Sequence, residues 1–451
     1  MTLPDDAVAR LKQAAEHWAA VPMTARLRLV RRFRRLLRGR WRMLPSLFPA
    51  RSAVETWTVE LLPLLAACRF LERNAKKVLR ARRAGVWGRP LWLPGVTSRV
   101  ERRPYGAVLI LAPGNYPLML PGIQLLQALI AGNVVALKPA PGSEAAPRLL
   151  VDLLTQAGFP QSVCMVLPTD SGVEAVAAGF DLIVLTGSAQ TGRQVLQDAA
   201  QTLTPTIMEL SGVDPVFVLP GADLAHVARR LAYGVRLNNG ATCIAPHRVF
   251  VRQEDKALLL ALLRSTLAQK PPLSCDSAGQ ARLGALTERI EAAGGRVEMV
   301  GDVTIFTQVE GLHRLLDTDI FMPWLALTGV SDIEEAMMLE KSTSYALGAS
   351  IFGPVPEASR LARRLRSGSV CINDLIVPTA DPRLPFGGAG ASGYGVTRGP
   401  EGLLALTRPV VTSVRSGLVT VLCRCTGHFM LASGKAWNHG SDTQKNFALR
   451  Q

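Results

Sequence analysis

The sequence predicts an α/β fold in which a doubly wound parallel sheet binds a ligand at the carboxyl ends of its strands. Between residues 105 and 205, short continuous apolar segments alternate with longer amphipathic ones, as in buried parallel strands connected by helices. Gly, Pro and Asn residues separate these segments and mark the turns between them. Polar or glycine-containing loops follow two of the apolar segments, at the edge where such sheets bind ligands.

An arginine-rich helix is predicted near the N-terminus. Apolar residues recur at helical spacing at Met23, Leu27, Val30, Phe33, Leu37 and Trp41. Arginines surround this stripe at Arg26, Arg28, Arg31, Arg32, Arg34, Arg35, Arg38, Arg40 and Arg42. The spacing predicts one amphipathic helix with a basic outer face. A solvated surface of a globular enzyme is the favoured interpretation, and contact with anionic lipid or nucleic acid is the alternative.

The doubly wound region is predicted element by element from its apolar segments and breakers. The predicted strands are 107–112, a second strand ending at Lys138, 163–167 and 182–185, and the predicted helices are one of about ten residues before Lys138, 143–157, 172–178 and 190–201. The stretch from Tyr105 to Leu137 carries no charge, but Pro and Gly residues interrupt it. We therefore expect a buried strand, helix and strand there rather than a membrane span.

Composition and cysteine usage set the broad class. A chain of 451 residues with 48% hydrophobic and 19% charged residues can bury several cores, which indicates two or three domains. The seven scattered cysteines and the lack of an N-terminal apolar signal region favour a reduced, cytoplasmic protein. Cys423 and Cys425 have no second pair nearby, so no metal site is expected. The net charge of +16 raises the question of a polyanionic partner.

Three short stretches are candidates for chemistry. Lys138 ends the strand "VVALK", where a cation would face a ribose or a phosphate. The turn "TGSAQTG", Thr186 to Gly192, leads into a helix whose first amides would face a phosphate, although such a turn alone is weak evidence. In "LNNGATCIAPHRVFV", Cys243 stands between a glycine-containing turn and a strand. By itself this segment does not distinguish a buried thiol from a nucleophile.

Eight motifs together resemble those of the NAD(P)-dependent aldehyde dehydrogenase superfamily, in the same order along the chain. They are "GNYPLML", "GNVVALKPAPGSE", "LTGSAQTG", "MELSG", "NNGATCIAPHRV", "DIFMPW", "YALGASIFG" and "PFGGAGASGYG". The resemblance covers roughly residues 90 to 415. It is closest to the compact class that includes fatty and aromatic aldehyde dehydrogenases. The resemblance implies a Rossmann-type cofactor domain, an α/β catalytic domain and a small β projection for oligomerisation.

The resemblance also implies a catalytic mechanism. Cys243 matches the nucleophile, which attacks the aldehyde and later leaves as a thiolate from a thioester. The side-chain amide of Asn115 and the backbone N–H of Cys243 match the donors that stabilise the oxyanion. Glu209 matches the base that activates water for thioester hydrolysis. The implied product is a carboxylic acid.

Cofactor binding is implied at several further positions. Lys138, Gly187, Ser188 and Gly192 match residues around the adenosine ribose and the pyrophosphate, and Asp319 and Phe321 match residues on the nicotinamide side. The family usually has an acidic residue three positions after the lysine, where this chain has Pro141. A carboxylate there would repel a 2′-phosphate, so NADP is expected as well as NAD. The usual "EIFGP" glutamate is Asp319, and "ELGG" has become "ELSG" through Ser211.

Domain organisation and partners follow from the same resemblance. We expect an N-terminal helical region at 1–90, a cofactor domain at 91–209, a catalytic domain at 210–405, an oligomerisation strand at 406–416 and a tail at 417–451. The strands "SRVERRP" and "RPVVTSV" are expected to form the projection of a homodimer or higher homo-oligomer. No nucleic-acid partner is expected. Peripheral membrane contact through the Arg26 to Arg42 helix or the tail stays open.

Two alternatives to acid-forming oxidation remain. A CoA-acylating reductase would keep the cysteine without needing the hydrolytic glutamate, and Glu209 counts against it. A catalytically inactive binding protein would use the fold for its basic face. The presence of Cys243 and Asn115 counts against this second alternative, whereas Asp319 and Pro141 are compatible with it. His247, four residues after Cys243, is interpreted as part of the following strand.

Overall fold

Fourteen α-helices and eighteen β-strands occupy the residues that the computed structural model describes, which are 7–85, 87–90 and 92–416. The helices are α1 Ala7–Ala20, α2 Met23–Gly39, α3 Ala53–Thr56, α4 Leu62–Val78, α5 Met119–Ala131, α6 Ala145–Ala157, α7 Gly172–Ala177, α8 Ala189–Ala200, α9 Leu224–Arg236, α10 Gln253–Ala268, α11 Ser277–Ala292, α12 Ile333–Glu340, α13 Val355–Ala362 and α14 Gly399–Ala405. The predicted tail at 417–451, with Cys423 and Cys425, lies outside these residues.

The strands form four sheets. They are β1 Arg82–Ala84, β2 Val96–Pro104, β3 Ala107–Leu111, β4 Val134–Lys138, β5 Cys164–Val166, β6 Leu182–Gly187, β7 Thr206–Leu210, β8 Asp214–Val218, β9 Pro246–Arg252, β10 Arg296–Val300, β11 Val303–Thr307, β12 Trp324–Val330, β13 Tyr345–Ala346, β14 Gly348–Phe352, β15 Ser369–Ile372, β16 Ala389–Gly390, β17 Gly393–Tyr394 and β18 Thr407–Arg415. β13 and β16 make a separate two-stranded sheet.

The predicted doubly wound region is a six-stranded sheet with the order β17-β7-β6-β3-β4-β5. Its strands β3 to β7 are parallel, and only the short β17 at the edge runs antiparallel. Helices α5 to α8 connect these parallel strands, and each predicted boundary lies within two residues of the observed one. The strand order reverses at β3, so the carboxyl ends of β3 and β6 form the crevice in which such sheets bind ligands.

The uncharged stretch after Tyr105 forms the centre of this sheet and its covering helix. All five residues of β3 and all thirteen of α5 are buried. Gly132 ends α5 in a left-handed conformation at φ 104°, where L-residues with a Cβ are strained. Within the described ranges, no helix has the length and apolar character needed to cross a membrane. The prediction of a buried strand, helix and strand is therefore confirmed.

A second, seven-stranded sheet carries the candidate nucleophile. Its order is β10-β11-β12-β9-β8-β14-β15, and all neighbours are parallel except β10 and β11. Separate apolar clusters cover its faces, one under α9 and α10 and others around α11, α12 and α13. β9 lies inside this sheet with six of its seven residues buried. The loop that precedes β9, which contains Cys243, is therefore anchored at its end by a rigid strand.

The arginine-rich helix α2 confirms most of its prediction. Val30, Phe33 and Leu37 are fully buried in the core, as the apolar stripe predicts. The expected exposure of Arg26 is wrong, because its side chain is only 7% exposed. Its guanidinium lies against Gly132, which leaves no room for a Cβ there, and burial lowers the pKa of Arg26 to about 10.

The remaining strands form a three-stranded sheet with the order β1-β2-β18. β2 contains "SRVERRP" and β18 contains "RPVVTSV", so the predicted association of these two segments is present. Ser98 and Ser413 hydrogen-bond across it at 2.8 Å. The described residues divide into two compact units, one within Met1–Arg80 and Arg102–Pro409 and the other within Ala81–Glu101 and Val410–Gln451. Both large sheets lie in the first unit.

Candidate active site

A cavity of about 390 Å³ lies at the carboxyl ends of β3, β4, β6 and β7. Six of the nine predicted site residues line it, namely Asn115, Lys138, Gly187, Glu209, Cys243 and Phe321. Three others, Ser188, Gly192 and Asp319, are not among its lining residues. Residues that are 128 positions apart along the chain, Asn115 and Cys243, thus meet at the predicted crevice of the sheet.

Cys243 opens onto a second cavity as well. This cavity measures about 780 Å³ and is lined mainly by apolar side chains, among them Val59, Met119, Ile244 and Phe386. Cys243 and Leu120 line both cavities. The thiol therefore lies where a molecule in the first cavity would meet a molecule in the second.

The turn before Cys243 is set by three residues with positive φ. Asn238 and Asn239 have φ 56° and 54°, and Gly240 has φ 83°. Asparagine tolerates this left-handed region, and glycine adopts it freely. A Cβ on Gly240 would lie 2.3 Å from the backbone nitrogen of Pro323, so the turn packs directly against the segment before β12. The glycine-containing segment "NNG" predicted this turn, but it gave no indication of the contacts that the side chains make.

The thiol of Cys243 is held in its neutral form by its surroundings. Burial raises its pKa, and the nearby carboxylates of Glu209, Asp214 and Asp319 raise it further. The charge of Arg398 acts in the opposite direction and lowers the pKa of the thiol. Because the thiolate is the nucleophilic form, Cys243 needs a base or a bound charge before it attacks.

Asn115 presents its side-chain amide toward the turn of Cys243. Its Nδ2 donates to the carbonyl of Ala241 at 3.1 Å, and its Oδ1 accepts from the amide of Tyr116 at 3.0 Å. These two bonds fix which side of the amide carries the hydrogens. Nδ2 has two hydrogens, so the second is available to an oxygen in the cavity. Asn238 donates to the Asn115 carbonyl at 2.9 Å and anchors the loop.

A buried ion pair that sequence reasoning missed supports the Asn115 loop. Glu60 lies in a π-helical turn at Trp57–Leu61 and is fully buried. Its carboxylate accepts from Arg51 at 2.8 Å and from the amides of Leu118 and Met119 at 3.2 and 2.7 Å. Arg51 also donates to the carbonyl of Asn115. The pair therefore holds both the Asn115 loop and the first turn of α5.

Removing this carboxylate should be strongly destabilising. For Glu60→Ala we expect the free energy of unfolding to fall by about 3 to 5 kcal/mol, because Arg51 would remain buried without its partner. Glu298→Ala is the matched control. It breaks the more exposed Arg264–Glu298 pair of 2.6 Å and should cost at most about 1 kcal/mol. Urea unfolding of both variants measures the difference, and equal losses would contradict a supporting role for Glu60.

Glu209 is the penultimate residue of β7 and is 3% exposed. Its Oε2 accepts from the hydroxyl of Thr397 at 2.7 Å and from the amide of Gln124 at 3.5 Å. Its Oε1 has no hydrogen-bond partner and lies 3.9 Å from the guanidinium of Arg398. Burial raises the pKa of Glu209, whereas Arg398, Thr397 and Gln124 lower it. Sequence reasoning missed these three neighbours, which come from α5 and from the segment before α14.

The predicted phosphate-binding turn leads into a helix as expected. Gly187, Ser188 and Gly192 have different roles in it. Ser188 caps α8, since its hydroxyl accepts from the amide of Thr191 at 3.2 Å. Gly192 lies inside α8, where a Cβ would be 2.7 Å from the side chain of Leu210. Its small size therefore serves the packing of α8 on β7. Gly187 faces the cavity at the end of β6, where its lack of a side chain leaves room for a ligand.

Lys138 provides the cation of the first cavity. It is half-buried at the end of β4, close to Gly172 at the start of α7. Burial lowers its pKa, and Asp170 opposes this effect. A cation, a glycine at a strand end and the N-terminus of α8 together suit the pyrophosphate and ribose of a dinucleotide. The residues present therefore fit such a cofactor.

Two departures from the family motifs contact each other. The hydroxyl of Ser211 donates to the carboxylate of Asp319. Asp319 is shorter by one methylene than the usual glutamate, and Ser211 is larger than the usual glycine. The Ser211 side chain therefore fills the space beside the shorter Asp319 and fixes its carboxylate. Burial raises the pKa of Asp319, and the Ser211 bond lowers it. The charge of Asp319 raises the pKa of the Cys243 thiol, while Phe321 lines the cavity itself.

His247 has a structural role, as the sequence indicated. It is buried in β9, contacts the carbonyl of Trp324 through Nδ1 at 2.9 Å and stacks on that indole at 4.2 Å. Burial lowers its pKa to about 4, which favours the neutral ring, and the contacts of the ring are with Trp324. Cys68, Cys164 and Cys371 are buried free thiols. Across the described ranges, no group of three His, Cys, Asp or Glu side chains is arranged to hold a metal ion.

Two solved structures share this architecture. An NAD-dependent aldehyde dehydrogenase from Sinorhizobium meliloti superposes with a TM-score of 0.84 and 23% identity, over 92% of this chain and 87% of that one. A Mycobacterium tuberculosis aldehyde dehydrogenase complexed with NAD+ superposes with a TM-score of 0.82 and 24% identity, over 91% and 89% of the two chains. The fold is thus that of dinucleotide-dependent aldehyde dehydrogenases.

The chain belongs to the aldehyde dehydrogenase family, whose model matches residues 4–411. A Methylomonas protein named 4,4'-diapolycopene aldehyde oxidase is 32% identical over 423 residues, which cover 88% of this chain and 79% of that protein. A Mycobacterium ulcerans protein named as an NADP(+) succinate-semialdehyde dehydrogenase is 29% identical over 430 residues, 89% of this chain and 82% of that protein. The protein is an enzyme that oxidises aldehydes with NAD or NADP.

Proposed function

We propose that Cys243, Asn115 and Glu209 convert an aldehyde to a carboxylic acid. The observation that carries this proposal is the position of Cys243 between two cavities, with Asn115 and Glu209 lining the first. The Cys243 thiolate attacks the carbonyl carbon, and the second Nδ2 hydrogen of Asn115 binds the developing oxyanion. Bound NAD or NADP supplies the hydride acceptor. The thioester that remains on Cys243 is then hydrolysed by water that Glu209 deprotonates.

The buried carboxylate of Glu209 supports hydrolysis over transfer to CoA. Thr397 and Gln124 bind only one of its oxygens, which leaves Oε1 able to take a proton from water. An acylating enzyme has no need of a general base in this place. The catalytically inactive alternative is also disfavoured, since three functional side chains of the proposed mechanism share one cavity. Comparing turnover with and without CoA tests the choice between the two enzymatic reactions.

The second cavity supports an apolar aldehyde as the substrate. It is roughly twice the volume of the cofactor cavity, about 780 against 390 Å³. Its apolar walls favour burial of hydrocarbon by about 25 cal/mol for each Å² removed from water. The Methylomonas relative is named for oxidation of a diapolycopene aldehyde, in agreement with this proposal. A long-chain or aromatic aldehyde should therefore have a lower KM than a short polar one in a cofactor-reduction assay.

The cofactor cavity favours binding of NADP at least as tight as that of NAD. Pro141 lines the cavity, at the position where the family resemblance implies a carboxylate. Glu144, the nearest candidate to replace it, instead accepts from the amide of Gly142 at 3.1 Å. Lys138 remains to attract a 2′-phosphate.

Introducing the missing carboxylate should reverse this preference. For Pro141→Glu we expect the ratio of NADP to NAD affinity to fall by about tenfold, since a like charge would face the 2′-phosphate. Pro141→Gln is the uncharged control and should shift the ratio much less. Titration of both cofactors against the three proteins measures the ratios. A parent enzyme that strongly prefers NAD would show that the argument from Pro141 is wrong.

Location and assembly belong to the same proposal. Seven arginines of the α2 region are exposed, Arg28, Arg31, Arg32, Arg35, Arg38, Arg40 and Arg42. Exposed Trp41 and Met43 adjoin them. This combination suits peripheral contact with an anionic membrane, which co-sedimentation with anionic vesicles tests.

The five described cysteines are free thiols, which supports the cytoplasm as the compartment. The β1-β2-β18 sheet is proposed as the contact of a homodimer or higher oligomer.

A further inference from the structure

Arg398 is a buried arginine with a strained backbone next to the active site. It precedes α14 and has φ 61° and ψ 174°, a conformation that residues other than glycine rarely adopt. Its side chain is 8% exposed. Nη1 donates to the carbonyl of Thr379 at 2.9 Å, and the guanidinium lies 4.1 Å from the centre of the Phe386 ring. The surrounding structure thus fixes the charge at one point despite the backbone strain.

The Arg398 guanidinium lies near Glu209 without making a close hydrogen bond to it. Nη2 of Arg398 is 3.9 Å from Oε1 of Glu209, about 1 Å longer than a charge-assisted hydrogen bond. Oε1 of Glu209 and Nε of Arg398 both lack a hydrogen-bond partner although they are buried. The arginine is therefore close enough to stabilise the carboxylate by charge, while Oε1 keeps its lone pairs for another donor.

The other groups around Glu209 do not replace this charge. Thr397 and Gln124 bind its Oε2 and are neutral. Cys243 lines the same cavity as Glu209 and its thiol carries no positive charge. Asp214 and Asp319 act on that thiol as further negative charges. Among the described residues, Arg398 is thus the cation that lies near Glu209 and acts on its charge. Burial without a cation shifts a carboxylate toward its protonated form.

We propose that Arg398 is a positioning residue for the general base: it keeps buried Glu209 ionised and leaves Oε1 free to receive a proton from water. This inference rests on the proposed role of Glu209. In the step it supports, Oε1 takes a proton from water, the water oxygen bonds to the thioester carbon and the C–S bond breaks. The electron pair leaves with the Cys243 sulfur, and no oxidant or reductant is consumed.

The expected consequence is a change in pH dependence. Arg398 lowers the pKa of Glu209, so its removal raises that pKa and protonates the base at higher pH. Decay of the acyl-enzyme requires the ionised form, so its acid limb should move to higher pH, by about one pH unit or more for a charge at this range. At a pH below both midpoints, decay should slow by about tenfold or more.

Acyl-enzyme decay tests this inference directly. Each full-length enzyme is loaded in a single turnover with limiting aldehyde and cofactor, and the mass increase on Cys243 is followed across pH. Arg398→Gln should move the midpoint of decay upward, and Arg398→Lys should largely restore it. Arg383→Gln removes an exposed charge from the same region, where Arg383 pairs with Asp381, and should leave the midpoint unchanged. An unchanged midpoint in Arg398→Gln would overturn the proposal.

Two further variants separate this inference from structural damage and from the proposed function. Arg398→Gly removes the charge and relieves the positive φ, so it replaces Arg398→Gln if that variant fails to fold, with the same expected shift. In Glu209→Gln, adding Arg398→Gln should change acyl-enzyme decay no further, and an additional slowing of similar size would overturn the role through Glu209. Failure of the parent enzyme to form any acyl-enzyme would instead contradict the proposed function.

Discussion

Cys243→Ala is expected to abolish hydride transfer while cofactor binding is kept. An aldehyde carbonyl releases hydride only after a nucleophile has added to it, and the variant has no atom to form that bond. A loss of at least about 10⁴-fold in the rate of cofactor reduction is expected, as for removal of other covalent nucleophiles. Cys243 lines the first cavity, and a methyl group in its place leaves Lys138 and the α8 turn unchanged. Cofactor reduction and a cofactor-binding titration on the same sample measure both effects.

Cys371→Ala is the matched control, since Cys371 is a buried free thiol that contacts neither cavity wall named above. It should retain parental rates, with at most a modest loss of stability. The parental rate should also rise with pH, because burial and neighbouring carboxylates raise the pKa of the Cys243 thiol. Sustained oxidation by Cys243→Ala would show that another group is the nucleophile.

Glu209→Gln is expected to give one burst of reduced cofactor and then stall. Acylation of Cys243 does not use the carboxylate, whereas hydrolysis of the thioester does. Removal of a general base typically costs about 10² to 10⁴-fold, so steady-state turnover should fall by that amount while the burst amplitude stays near one per active site. Gln keeps the contacts of Glu209 with Thr397 and Gln124, so the fold should be little affected. Stopped-flow measurement of reduced cofactor resolves the two phases.

Added CoA provides the contrast for this second experiment. An acylating enzyme would turn over in the Glu209→Gln variant when CoA is supplied, since CoA needs no activated water. A variant with undiminished steady-state turnover in the absence of CoA would mean that Glu209 is not the base.

The elements of the cofactor domain were predictable from local signals. Continuous apolar strands such as 107–111 and breakers such as Gly132 and Gly158 mark the boundaries of β3, α5 and α6. These features depend on periodicity and backbone conformation, which the chain encodes over a few residues. The exposure of Arg26 was mispredicted because its burial depends on Gly132, a glycine more than a hundred positions away that leaves space for the guanidinium.

The residues of the site were predictable only in part. The motif order identified Cys243, Asn115 and Glu209, which meet at one cavity. The residues that contact and support these three side chains were missed, because such contacts join segments that are distant along the chain. Arg398 reaches Glu209 across 189 positions, and Glu60 binds the amide of Met119 across 59. No local pattern marks such pairs, although the charged residue in "GVTRGP" and the π-helical turn near Glu60 are visible once the fold is known.

The most direct test of the mechanism is the product stoichiometry in the absence of CoA. Purified enzyme is mixed with NADP or NAD and with short, long-chain and aromatic aldehydes in water labelled with heavy oxygen, and reduced cofactor and acid are quantified. We predict one carboxylic acid for each reduced cofactor, at least one labelled oxygen in each acid and the highest efficiency with an apolar aldehyde. Absence of cofactor reduction with every aldehyde, or reduction that depends on CoA, would contradict the account.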